Sequence, residues 1–322
     1  MRRTPASRRW LTALIAPVVL GLAACGTSDA GSADDKSAGA EIETVSITHA
    51  QGSQTFDRVP SKVLVFDSGA LVTLNDLGVE IAGVPELNSL PENLSKFGTD
   101  QYEKVGTLKE PDFEKVNALA PDLIIIGGRS ATAYDELSKI APTIDVTVDN
   151  GDFLASFRDR TESLGKIFDK QDEVAQRLDA LDVQSETVAA LAAERDETGL
   201  IVLTTGGKIS AYGPGSRFGI IHDPLGVQPA SANLSVETHG DSISSEFIAE
   251  SNPDILYVVD RDAAIGEEGK AAGSVLDNDL VDRTSAAKNG RIVFLDPFTW
   301  YIAPTGLSSV EAMVQTVGDS LQ

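Results

Sequence analysis

The feature that most constrains this chain is an alternation of two periods. Short β-branched apolar runs recur between stretches whose apolar residues repeat at helical spacing. Val63–Phe66, Leu123–Ile126, Ile144–Val148, Leu200–Thr204, Ile255–Val259 and Ile292–Leu295 read as strands. Ala133–Ile140 and Ser308–Leu321 carry the helical period. Strands separated by helices predict α/β architecture with mostly parallel sheets. Between the two sets of strands, Asp152 to about Phe168 is helical, with Phe153, Phe157, Leu164, Ile167 and Phe168 on its apolar stripe. A second helix follows over Gln171–Arg195, with Gly199 closing it. The expected organisation is an N-terminal lobe over residues 42–151, a connecting helix over 152–169 and a C-terminal lobe over 170–322. One unbroken helix between lobes is a stiff connector, so small rocking is expected rather than wide closure.

An internal repeat supports two lobes. Glu114, Pro121, Asp122 and Arg129 recur at the same intervals as Glu246, Pro253, Asp254 and Arg261. Each copy reads as a short helix, a Pro-Asp turn, an apolar strand and then an arginine. Helix and strand run in opposite directions, so the glutamate and the arginine of each copy share one edge of the lobe. Open α/β sheets bind ligands at the carboxyl ends of their strands, which is the arginine edge.

The N-terminus reads as an address. Arg2, Arg3, Arg8 and Arg9 precede an apolar run from Trp10 to Ala24 that is shorter than the roughly 20 residues needed to span a bilayer. The run ends in Leu22-Ala23-Ala24-Cys25, which resembles the lipobox of bacterial lipoproteins. That resemblance implies a signal peptide over residues 1–24, lipidation of Cys25 and a chain held on the outer face of the cytoplasmic membrane. Residues 25–41 are rich in Gly, Ala, Ser and Asp and read as a flexible tether.

Composition removes several classes of function. Forty-nine acidic residues against 26 basic ones give a net charge of −23, and loss of the four leader arginines takes it to −27. Such a surface repels nucleic acid. One cysteine excludes an internal disulfide or a thiolate zinc cluster, and three histidines exclude a His-rich metal cage. No Gly-x-Ser-x-Gly elbow or His-Glu-x-x-His motif is present, so a hydrolase has little to stand on.

Several residues near the strand ends could carry chemistry. Arg129 and Arg261 come from the repeat. Arg217 lies in Tyr212-Gly213-Pro214-Gly215-Ser216-Arg217-Phe218, whose glycines permit close backbone approach to a ligand. Tyr301 follows the last strand and the Asp296-Pro297 turn, and His239 sits in the polar Thr238–Asp241 loop. Each has a plainer reading: arginines as surface ion pairs, His239 as a structural loop residue, Tyr301 packed beside Trp300. His49 and His222 read as structural.

The segments Gly106–Asp112, Pro121–Arg129, Lys208–Asp223 and Val258–Asp262 resemble siderophore-binding lipoproteins of iron ABC importers, nearest the branch that binds ferric catecholates such as petrobactin. The likeness runs from about Ile42 to the C-terminus. It implies the helical-backbone periplasmic binding protein fold and a binding role without catalysis. No permanently bound cofactor is implied; the ferric siderophore is the transported ligand. By motif, Arg129, Arg217 and Arg261 would cradle the anionic complex, while His239 and Tyr301 would complete the iron shell. Glu114 and Glu246 would dock on an ABC permease coupled to its ATPase, or else simply favour their own helix starts through the dipole. A monomer is expected. Another iron chelate, haem or cobalamin is the alternative cargo.

Overall fold

The computed structural model describes residues 44–322; the leader, Cys25 and the tether lie outside the described residues. The described chain begins with an antiparallel hairpin, β1 (Val45–His49) and β2 (Gly52–Phe56). The first sheet then assembles from β3 (Val63–Val65), which leads into helix α1 (Ser68–Asp76), followed by β4 (Gly83–Val84) and β5 (Glu103–Lys104). Helix α2 (Phe113–Leu119), β6 (Leu123–Ile126), helix α3 (Tyr134–Leu137) and β7 (Thr143–Asp145) complete it. The order is β5-β4-β3-β6-β7, all parallel. All residues of β3 and β6 are buried, as a parallel sheet covered on both faces requires.

Helices α4 (Phe153–Ile167) and α5 (Gln171–Arg195) lead to the second sheet. Its strands are β8 (Thr198–Thr205), β9 (Lys208–Tyr212), β10 (Gln228–Pro229) and β11 (Asp241–Ile243). Helix α6 (Ser245–Ser251), β12 (Ile255–Asp260) and helices α7 (Arg261–Ile265), α8 (Ala272–Leu276) and α9 (Ser285–Lys288) follow. Strand β13 (Ile292–Leu295) and helix α10 (Leu307–Ser320) end the chain. The order is β11-β9-β8-β12-β13; β10 pairs with the start of β8, and β9 is antiparallel to both of its neighbours.

The backbone helix α4 is shared between two cores. Phe153 and Phe157 pack with Leu178, Ile201 and Val259 in the core of the second sheet. Leu164, Ile167 and Phe168 pack with Val63, Leu123 and Ile144 in the core of the first. A second link runs through α1 and α10. The amides of Leu307 and Ser308, which have no acceptor within the first turn of their own helix, donate to Thr73 Oγ1 and Asp76 Oδ2 on α1, each at 3.0 Å. Arg177 on α5 clamps Glu311 on α10 through two bonds of 2.9 and 2.7 Å. The last helix therefore belongs as much to the first lobe as to the second.

The repeat is structural as well as sequential. Helices α2 and α6 both end in left-handed residues, Ala120 (φ 45°) and Asn252 (φ 41°). In both copies the aspartate of the Pro-Asp turn then pins the start of the neighbouring strand. Asp122 accepts from the Ser61 amide and hydroxyl and the Lys62 amide, while Asp254 accepts from the Thr198 amide and hydroxyl.

Three local expectations need correction. The helix expected over Ala133–Ile140 is a single turn of α-helix, Tyr134–Leu137, preceded by a 3₁₀ segment, Gly128–Ala133; it closes in a turn whose Ile140 and Ala141 amides both donate to the Leu137 carbonyl. The strand expected to reach Val148 stops at Asp145, whose carboxylate takes the amide and hydroxyl of Thr147 and turns the chain. Asp196, at φ 52°, closes α5, whereas Gly199 lies inside β8, where a side chain would strike Val227 and Tyr257. His49 and His222 are buried as structural residues, the latter with Nδ1 2.8 Å from the Val227 carbonyl oxygen.

The α1–α10 junction makes a testable demand. A Cβ at Gly69 would lie 2.0 Å from Thr305 Oγ1 and 2.7 Å from the Thr305 carbonyl carbon. Gly69→Ala is expected to lower stability by about 1–3 kcal/mol in urea unfolding, the usual cost of overpacking. An unchanged midpoint would show that the junction yields.

Candidate functional site

Each candidate side chain is fixed by its own local structure. Arg129 stands in the 3₁₀ turn immediately after β6, which is tied by the Gly127 amide donating to Ser130 Oγ at 3.1 Å. Arg261 is the first residue of α7, directly after β12; the Asp260 carboxylate caps that helix at the Ala263 amide. Arg217 is set by a compact loop in which the Ser216 amide and hydroxyl both donate to the Gly213 carbonyl. Tyr301 lies in one turn of π-helix, Phe298–Ile302, started by Pro297 and by the Thr299 amide donating to Asp296 Oδ1 at 2.7 Å. Such wide turns recur at functional sites because they displace one residue from the helical register.

These four residues meet. Arg129 donates through Nη2 to the Tyr301 carbonyl at 2.6 Å and through Nη1 to the Ile302 carbonyl at 3.0 Å. Arg217 Nη2 donates to the same Tyr301 carbonyl at 3.0 Å. Arg261 Nε donates to the Tyr301 hydroxyl at 3.0 Å, and its Nη1 to Thr205 Oγ1 at 3.1 Å. The three guanidinium carbons lie 5.6, 4.4 and 5.9 Å from the centre of the Tyr301 ring, within cation–π range. Three cations from two lobes thus surround one phenol. The Asp262 and Glu267 carboxylates come no closer than 4.0 Å to Arg261.

The titration behaviour follows from this cluster. Burial pushes the Tyr301 phenol up, but the Arg261 hydrogen bond and the charges of Arg217, Arg261 and Arg129 outweigh it and hold the phenol below its ordinary value. Burial, with repulsion from Arg129, lowers Arg217. Two other phenols move the opposite way: burial raises Tyr212 and pushes Tyr257 up to about 12.

His239 is not joined to the cluster by any hydrogen bond among the described residues. It is exposed, one residue from Gly240, whose close approach to Tyr212 leaves no room for a side chain. The Tyr212 phenol in turn feels the charges of Arg217 and Tyr301. His239 therefore lies in an exposed turn whose neighbour Gly240 packs on Tyr212. Glu114 and Glu246 are both exposed, in the first turns of α2 and α6. Among the described residues no group of three or more His, Cys, Asp and Glu side chains is arranged to hold a metal ion. A metal here would need most of its donors from its own chelator. Thr205, Thr147 and the aspartates behind them were not singled out from the sequence, although Asp262 directly follows Arg261 in one of the motif segments.

The model of the periplasmic binding protein family matches residues 64–299, and the chain belongs to this family. The petrobactin-binding protein YclQ of Bacillus subtilis (strain 168) is 43% identical over 314 residues, covering 96% of this chain and 97% of YclQ. The crystal structure of YclQ matches with a TM-score of 0.82 at 45% identity, over 87% of this chain and 99% of that one. The periplasmic catecholate-siderophore binding protein VctP of Vibrio cholerae gives a TM-score of 0.81 at 36% identity, over 85% and 99% of the two chains. BauB, solved with two molecules of acinetobactin and ferric iron, gives 0.79 at 36% identity, over 87% and 99%.

The cluster's electrostatics can be read optically. In a pH titration of phenolate absorbance, one tyrosine should ionise below the usual ~10, and that component should be absent in Tyr301→Phe. Arg261→Gln should move it upward. Since the folded-state value is the lower one, ionisation of Tyr301 adds stability as pH rises from that value to the unfolded one. Titration of all tyrosines at or above the ordinary value would contradict the arrangement.

Proposed function

We propose that this protein captures a ferric catecholate siderophore between its lobes and delivers it to an ABC permease for iron uptake, without catalysing a reaction. The observation that carries this reading is the convergence of Arg129, Arg217 and Arg261 on Tyr301 in a chain of net charge −23. Iron(III) bound by two catecholate dianions carries −1, and by three, −3. Exposed charges beyond ~8 Å are largely screened at physiological salt, whereas these guanidiniums sit at the site itself. Their planar forks suit paired oxygens. The siderophore ligands named for YclQ, VctP and BauB support the same class of cargo.

A tetradentate bis-catecholate leaves two of iron's six positions open. Iron(III) favours anionic oxygen donors and accepts imidazole. The Tyr301 phenolate, already favoured by its surroundings, would take one position. The neutral imidazole of His239, carried in by its exposed loop, would take the other. Lobes over residues 42–151 and 170–322, moving little about the helix between them, would then close around the complex. Glu114 and Glu246, one on each lobe, would meet basic residues of the permease. In this reading Cys25 carries the lipid that holds the monomer at the outer face of the membrane, with residues 25–41 as its leash.

Titration with ferric bis- and tris-catecholates, followed by intrinsic fluorescence, tests the reading; Trp300 adjoins Tyr301 and serves as the reporter. Tyr301→Phe and His239→Ala should weaken the bis-catecholate complex by about tenfold or more while leaving the tris-catecholate complex within a few-fold. Arg217→Ala should weaken both. Equal losses for the two complexes in the Tyr301 and His239 variants would rule out direct ligation.

A further inference from the structure

Behind Arg261 lies a buried carboxylate that the binding reading does not use. Asp262 is 5% exposed. Its Oδ1 accepts from the Thr205 hydroxyl at 2.9 Å and its Oδ2 from the Gly206 amide at 2.8 Å. Gly269 closes over it so tightly that a Cβ there would lie 2.4 Å from Oδ2. An ionised carboxylate can only accept, so the single proton of the Thr205 hydroxyl is committed to Asp262. The threonine lone pairs are then left to accept, and Arg261 Nη1 donates to them at 3.1 Å. With Nε held by the Tyr301 hydroxyl at 3.0 Å, two contacts fix the guanidinium plane. Among the described residues, Nη2 makes no hydrogen bond.

The other repeat arginine has a similar support. The Thr147 hydroxyl donates to Asp145 Oδ1 at 2.5 Å and accepts from the Gly128 amide, immediately before Arg129, at 2.8 Å. Asp145 is 1% exposed. In each lobe a buried aspartate orients a threonine hydroxyl, and the hydroxyl receives a donor from the arginine segment. A purely structural carboxylate needs only the first of these bonds.

We infer that Asp262, acting through the Thr205 hydroxyl, is the positioning residue that presets the Arg261 guanidinium for an anionic chelate. The inference rests on the binding reading given above, and it makes a claim of its own about the free protein. A long flexible arginine gains from being fixed in advance, because the ordering cost is met before the ligand arrives.

The test combines a double-mutant cycle with a ligand-free readout. Thr205→Val keeps the shape and removes the hydroxyl; Thr205→Ser restores it. With ferric bis-catecholate, Thr205→Val should lose affinity by about tenfold, and Thr205→Ser should stay within about twofold of wild type. In an Arg261→Ala background, Thr205→Val should change affinity by less than about twofold. An unchanged affinity in the single variant, or an equal loss in both backgrounds, overturns the inference. Thr205→Ala replaces valine if the unfolding midpoint falls. In the free protein, nitrogen NMR should show separate, slowly rotating Nη signals for Arg261 in wild type and averaged ones in Thr205→Val. Identical signals in both overturn the inference. Failure of wild type to bind any ferric catecholate would instead refute the binding reading, and the NMR comparison would still decide the positioning claim.

Discussion

The carbonyl oxygen of Tyr301 accepts one guanidinium from each lobe, Arg129 from the first and Arg217 from the second. That shared acceptor ties the two halves together at the point where their strand ends face each other. It also means that the arginines perform two tasks. They hold the wide turn that carries the phenol, and in the proposed reading they also supply positive charge to a visiting anion. Arg129, with bonds to both Tyr301 and Ile302, is the most committed to building the site. Arg217, with a single such bond, leaves more donors uncommitted than Arg129 or Arg261, which make two each.

Such a cluster is expensive on its own terms, since three cations within 6 Å of one ring repel one another. The rest of the fold holds them there. Helix α4 has one end in each core, and α10 returns from the second sheet to seat its first amides on α1. Two rear connections resist wide opening, which suits a preassembled site more than one formed by large domain closure. An anionic chelate, and a phenol that gives up its proton, would each relieve the repulsion.

Much of this was legible in the sequence, for physical reasons. Parallel strands buried on both faces advertise themselves as unbroken apolar runs, so β6 and β12 are legible almost to the residue, and the partly exposed edge strand β13 is equally so because its run is still wholly apolar. The repeat placed Arg129 and Arg261 at equivalent strand ends because the Pro-Asp turn is itself a structural device. Antiparallel β9 was missed even though Gly206-Gly207, at φ 54° and 76°, marks a two-residue hairpin turn. Its alternating pattern is short and was overshadowed by the longer runs. The hydroxyl–carboxylate supports behind the arginines could not be read at all. Thr205 and Asp262 are 57 residues apart and meet only because β8 and β12 are neighbours. Nor does spacing explain why three arginines from distant segments share one tyrosine. Family resemblance placed them together, and the geometry supplies the reason.

The central claim is that the guanidinium–phenol cluster is where an oxygen-rich iron chelate binds. Anomalous diffraction at the iron edge, from crystals grown with a ferric bis-catecholate, tests it most directly. The account predicts a single iron peak bonded to the Tyr301 phenolate oxygen, with catecholate oxygens on the Arg217 and Arg261 guanidiniums. An iron peak elsewhere, with those three side chains undisturbed, would contradict it.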